Sequence, residues 1–136
     1  EGIDYLIKKH LDSNSDLTTF SDLPLGASME IIKSKALEIS HTLGTKKHRS
    51  ELCTLYINEN PEKFKILRIK PEKELCKPQI RLTVDTPEDL LVAKIIYESL
   101  NKNNKLIKIK KIIKFLEENS KVSNINSTLQ LRYKRF

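Results

Sequence analysis

A chain of 136 residues, 38% hydrophobic and 32% charged, has room for one modest core and excludes a disordered polymer. No apolar run approaches the roughly 20 residues of a membrane-spanning helix, and the first residues lack signal-peptide zones, so a cytoplasmic chain without a membrane partner is expected. The net charge of +7 suits a phosphate-bearing ligand, but aromatics make up only 6% and tryptophan is absent, so nucleic acid is not the expected partner.

Apolar residues at positions 3, 6, 7 and 11 fall on one helical face and predict an opening helix that ends at Asp12-Ser13-Asn14-Ser15. Short strands are predicted over 16–20 and 29–32, joined by a loop through Pro24 and Gly26. A helix over 35–43 would be capped by Ser34 and stopped by Gly44. A second helix is expected from His48 to Asn58, broken by Asn60-Pro61, and residues 64–69 alternate as a strand does. Pro71 and Pro78 flank a charged loop, after which Ile80-Arg81-Leu82-Thr83-Val84 alternates again.

The clearest helix start follows. Thr86 can cap, Pro87 has no amide hydrogen to lose at the first helical position, and Asp89 stands where a capping-box acid stands. The helix it opens is apolar on most sides and is expected to pack deeply. Asn101 to Asn104 ends it, and Leu106, Ile109, Ile112, Ile113 and Leu116 mark a final amphipathic helix with lysines opposite. Alternating strands and helices argue for an α/β layer, read as one domain over 1–136. Two cysteines, Cys53 and Cys76, without C-x-x-C spacing, and three scattered histidines predict free thiols and no histidine metal site.

Asp85 is the first candidate for chemistry. It sits at the carboxy end of a predicted strand and just before a helix, where open α/β sheets bind ligands. A carboxylate there suits magnesium, which takes one or two carboxylates together with phosphate oxygens and waters. Position alone leaves a second reading, in which Asp85 and Thr86 only cap the helix.

The segment Arg81-Leu82-Thr83-Val84-Asp85-Thr86-Pro87-Glu88-Asp89-Leu90 resembles the R-L-T-x-D-x-P-E-D segment of the cytidylyltransferase family. That family holds the synthetases of CMP-sialic and CMP-Kdo type and the spore-coat polysaccharide cytidylyltransferases. Upstream, Ser50-Glu51, Thr54, Tyr56 and Asn58-Glu59-Asn60-Pro61-Glu62-Lys63-Phe64-Lys65-Ile66 are similar to the family's helix, N-P-x-x-F-K turn and strand. Met29-Glu30-Ile31 with Ala36-Leu37-Glu38 resembles its V-E-V strand and A-L-E helix, and Leu116-Glu117-Glu118-Asn119 with Ile125-Asn126 its closing segment. The similarity runs in order along nearly the whole chain.

The resemblance implies the carboxy-terminal part of a three-layer α/β, nucleotide-diphospho-sugar transferase-like (Rossmann-like) fold. It implies transfer of CMP from CTP to an acidic or other surface-polysaccharide sugar, with release of pyrophosphate. Asp85 matches the family's second Mg2+-binding aspartate. Glu30 is placed on the sugar side, and Glu51 and Arg81 are further substrate-binding candidates for which a structural or surface role is the stronger reading. The family's L-x-A-R and S-x-R-x-x-x-K nucleotide loop has no counterpart here, and glycine occurs only at Gly2, Gly26 and Gly44. Its first metal-binding aspartate would precede Glu1. Where relatives carry R-E-H and T-P-Y, this chain has Ser50-Glu51-Leu52 and Thr54-Leu55-Tyr56.

The expectation is therefore a partial catalytic domain, completed by a nucleotide-binding half and prone to homo-oligomerise. The alternative is a small basic α/β module that binds nucleic acid through Lys105 to Lys114 and the tail, or a protein through exposed edges, without catalysis.

Overall fold

Helix α1 (Gly2–Ser13) leads into strand β1 (Leu17–Phe20) in the computed structural model, which describes residues 2–101 and 105–129. Strand β2 (Glu30–Ile32), helices α2 (Ser34–Leu43) and α3 (Leu55–Glu59) and strand β3 (Ile66–Ile69) follow, and then helices α4 (Pro87–Leu100), α5 (Ile109–Glu118) and α6 (Ser120–Ser123). Backbone contacts divide the described residues into two units, one of residues 2–20 and 29–69, the other of residues 21–28, 70–101 and 105–129. No helix among the described residues is long and apolar enough to cross a membrane.

In the first unit the sheet order is β2-β1-β3, with β1 antiparallel to β2 and parallel to β3. Leu17 is in register with both Ile32 and Ile66, so the three side chains share one face. They pack with Ala36, Ile39, Tyr56, Ile57 and Phe64, which lays α2 and α3 on that face. The opposite face presents Thr18, whose hydroxyl meets His10 Nδ1 of α1 at 3.0 Å, and α1 packs over β1 and β2. This helix–sheet–helix sandwich is the three-layer arrangement expected from the resemblance.

Helix α2 starts at Ser34 rather than being capped by it. Lys33 is still extended and bonds Asp16 O through its backbone N–H at 3.0 Å, so β2 runs straight into the helix. Gly44 does end the helix, but for lack of space: it is extended, and a Cβ there would lie 2.5 Å from Ser40 O.

The long helix expected from His48 to Asn58 does not form. A 3-10 turn covers Lys46–His48, and helix begins only at Leu55. Thr45 N–H donates to His48 Nδ1 at 2.8 Å and Leu52 N–H to Ser50 Oγ at 3.2 Å, local bonds that compete with helical ones.

The second unit holds a core of Ile80, Val92, Ile96, Ile113 and Leu116. The strand expected over 80–84 is reduced to one parallel bridge between Leu25 and Arg81. Its partner segment turns at once: Ala27 N–H bonds Pro24 O, and Gly26 adopts a φ of +88° with no room for a Cβ against Thr83 N. A bent partner cannot extend a ladder. Helix α4 is less enclosed than its composition predicts, because Leu90, Leu91 and Tyr97 are exposed while Val92 and Ile96 are buried. Helix α5 starts at Ile109, which leaves Leu106 exposed ahead of it. Cys53 and Cys76 are free thiols, as expected. The basic tail from 132 to 135 lies outside the described residues.

Candidate active site

The start of α4 is built by its own sequence. Thr86 Oγ1 accepts the Asp89 backbone N–H at 3.3 Å, and Asp89 Oδ2 accepts the Thr86 N–H at 3.2 Å, closing the capping box with Pro87 at the first turn. Thr86, and not Asp85, is thus the cap, and the Asp85 carboxylate has no role in closing the helix end.

Asp89 does more than cap. Arg81 donates Nε to Asp89 Oδ1 at 2.7 Å and Nη2 to Oδ2 at 2.8 Å, a fork-on-fork pair. Asn126 Nδ2 donates to Oδ1 at 2.8 Å, and the Asp85 N–H donates to Oδ2 at 3.0 Å. The Asp89 side chain has no exposed surface and the Arg81 side chain is 8% exposed. The guanidinium bond first, with the Asp85 N–H and Asn126 bonds adding to it against burial, holds the Asp89 carboxyl far below the usual carboxylate range. Arg81 moves the other way, raised chiefly by its bond to Asp89.

Above this buried pair stands Asp85, 63% exposed at the side chain. Its Oδ2 accepts Arg81 Nη2 at 3.0 Å and Thr83 Oγ1 at 3.2 Å. The site is therefore one solvent-facing carboxylate, oriented by a guanidinium that is itself fixed from beneath. Among the described residues no three His, Cys, Asp or Glu gather as a metal cage. The solvent-facing Asp85 carboxylate could offer a magnesium ion one oxygen ligand, a number that ion commonly takes from a protein. Asp89 does not fit, because both of its oxygens are taken.

Arg81 and Asp85 are brought together in the second unit. Glu30 and Glu51 lie in the first. Glu30 is exposed at the start of β2 and accepts Thr54 Oγ1 at 3.0 Å, and Glu51 is exposed in the turn before α3. Of the lysines proposed for a polyanion, Lys110 pairs with Glu72 and Glu74, and Lys114 with Glu118. Reasoning from sequence missed Asn126 as a site residue. Its only signal was its place in the closing segment, because nothing local shows that its amide reaches Arg81 O and Asp89.

The fold is of the nucleotide-diphospho-sugar transferase-like α/β class. Among solved structures the chain is similar to a cytidylyltransferase from Leptospira borgpetersenii serovar Hardjo-bovis (strain JB197), with a TM-score of 0.77 at 22% identity. The likeness covers 97% of this chain and 54% of that one.

By sequence the chain is 36% identical over 132 residues to an uncharacterized protein of Methanocaldococcus jannaschii, covering 96% of this chain and 53% of that protein. It is 32% identical over 99 residues to the spore coat polysaccharide biosynthesis protein SpsF of Bacillus subtilis, covering 72% of this chain and 41% of that protein. No family model matches. The chain spans about half the length of the curated relatives it matches. Together these findings bear out the resemblance to the cytidylyltransferase family.

Proposed function

We propose that this chain is the carboxy-terminal portion of a sugar nucleotidyltransferase that moves CMP from CTP onto a sugar hydroxyl, the sugar being a surface-polysaccharide component. The hydroxyl oxygen forms a bond to the α-phosphorus, the bond from that phosphorus to the bridging oxygen breaks, and pyrophosphate leaves while the hydroxyl proton passes to solvent or a base. Magnesium held at Asp85 would neutralise the phosphate charge that grows in transfer.

The observation that carries this reading is the contrast between the two aspartates. Asp89 is buried and saturated, whereas Asp85 is exposed and keeps its carboxylate turned to solvent, fixed by Arg81. Arg81 acts here as a positioning residue. Glu30 keeps the sugar-side role that the resemblance implies, and Glu51 stays a substrate-binding candidate.

The test is titration calorimetry of the chain with CTP and magnesium chloride. Binding that needs magnesium and weakens at least about tenfold in Asp85→Ala, a loss of about 1.4 kcal/mol, supports the reading. CTP affinity indifferent to both magnesium and Asp85 overturns it.

A further inference from the structure

Two cavities border Arg81 in the second unit. One, of about 210 Å³, is walled mainly by apolar side chains, Leu82, Val92, Ile96 and Ile112 among them. The other, of about 320 Å³, has buried Ile80, Arg81, Leu116 and Asn126 on its wall. Three hydroxyls complete that wall, those of Ser120, Ser123 and Ser127.

The hydrogen bonds already made around the larger cavity fix what each group still offers. Asn126 is 2% exposed and spends its amide hydrogens on Arg81 O at 3.3 Å and Asp89 Oδ1 at 2.8 Å. Its Oδ1 is left without a partner among the described residues. Ser123 Oγ donates to Ser120 O at 3.1 Å and Ser127 Oγ to Asn124 O at 3.3 Å, so both hydroxyls still offer lone pairs. Arg81 supplies the opposite sense. Its Nε and Nη2 are engaged by Asp89 and Asp85, whereas its Nη1 is buried and has no partner. A folded chain rarely leaves such a donor unpaired.

We propose that this cavity binds an uncharged, hydroxyl-bearing ligand the size of one sugar ring. A hydroxyl gives one hydrogen and accepts others, so a ring of them can answer both the Asn126 and serine oxygens and the Arg81 Nη1. An anion brings acceptors only and would set them against those oxygens, and the guanidinium charge is already matched by Asp89. An ammonium brings donors only and would place its charge beside a guanidinium. At the edge of the cavity Glu117 is paired with Lys77, which adds no net charge. Ile80 and Leu116 offer an apolar face on which the C–H side of a ring can rest. The volume lies at the low end of the roughly 300–1,000 Å³ of small-molecule clefts, which suits one ring. Asp85 does not line the cavity, so this site is additional to the one proposed for magnesium and CTP and does not rest on the transfer reaction.

The test is an NMR titration of the chain with glucose, galactose and mannose, and separately with sodium sulfate and methylammonium chloride. At least one hexose is expected to move the Ser123, Asn124 and Ser127 amides and the Asn126 side-chain amide saturably, in the millimolar range. Ser123→Phe, which fills the cavity from a residue that makes no bond to Arg81 or Asp89, should weaken that binding at least about tenfold at an unchanged melting temperature. Ser120→Phe, at an exposed position, replaces it if the first variant does not fold. The proposal fails if no hexose gives a saturable shift, or if the filled variant binds as the parent does. Sulfate or methylammonium acting on the same signals at lower concentration than every hexose would also overturn it.

Discussion

The Arg81 guanidinium lies side-on to the Asp89 carboxylate, Nε to Oδ1 at 2.7 Å and Nη2 to Oδ2 at 2.8 Å, with neither side chain appreciably exposed. The pair ties the end of an irregular segment to the first turn of α4. Removing Asp89 leaves the Arg81 guanidinium buried with only the exposed Asp85 carboxylate to pair it. Asp89→Ala is expected to destabilise the chain by about 3–5 kcal/mol, read from urea unfolding at pH 7.

The same pair sets an acid dependence. Asp89 has a folded pKa far below its unfolded value, so its contribution is complete above the ordinary carboxylate range and declines as pH falls below about 4. Urea midpoints should fall steeply as pH drops below about 4. In Asp89→Asn, which cannot ionise, that part of the slope should be missing.

Asp85 should behave oppositely. Its side chain is 63% exposed and its contact with Arg81 is screened by water, so Asp85→Asn should shift stability by no more than about 0.5 kcal/mol. Equal melting curves with a lost magnesium-dependent CTP titration would separate a working carboxylate from a structural one.

Gly26 occupies a φ of +88°, and a Cβ there would stand 2.6 Å from Thr83 N. Both the backbone region and the space exclude a side chain. Gly26→Ala should cost more than the roughly 1 kcal/mol of an ordinary glycine replacement, visible as a lowered melting temperature.

His10 is buried against Thr18, and its pKa is lowered first by burial and then by Lys33. The native state therefore favours the neutral ring. Its stabilising share is complete above about pH 6.5 and is lost as pH falls below that value. An NMR titration should show the His10 ring protonating below pH 6.5, and His10→Gln should flatten the stability slope between pH 7 and pH 5.

The start of α4 could be read from residues alone because capping is local: the two bonds that close the box run between Thr86 and Asp89 alone, with Pro87 at the first turn. The alternation in 64–69 also became a strand, Ile66–Ile69, since it had a straight partner in β1. The equal alternation in 80–84 did not. Period-two spacing records which face a side chain prefers, and it says nothing of whether the neighbouring chain stays extended, which the Gly26 turn prevents.

By itself, then, the sequence determined the α/β class, the helix cap, the free thiols and the family likeness, all carried by short-range pattern or ordered motifs. The tertiary structure decided which aspartate is available for chemistry. Asp85 and Asp89 lie four residues apart and are the same amino acid, yet Arg81 and Asn126, the latter 37 residues beyond Asp89, saturate one and leave the other in water. Burial and hydrogen-bond saturation depend on groups brought together by packing, and no spacing along the chain encodes them.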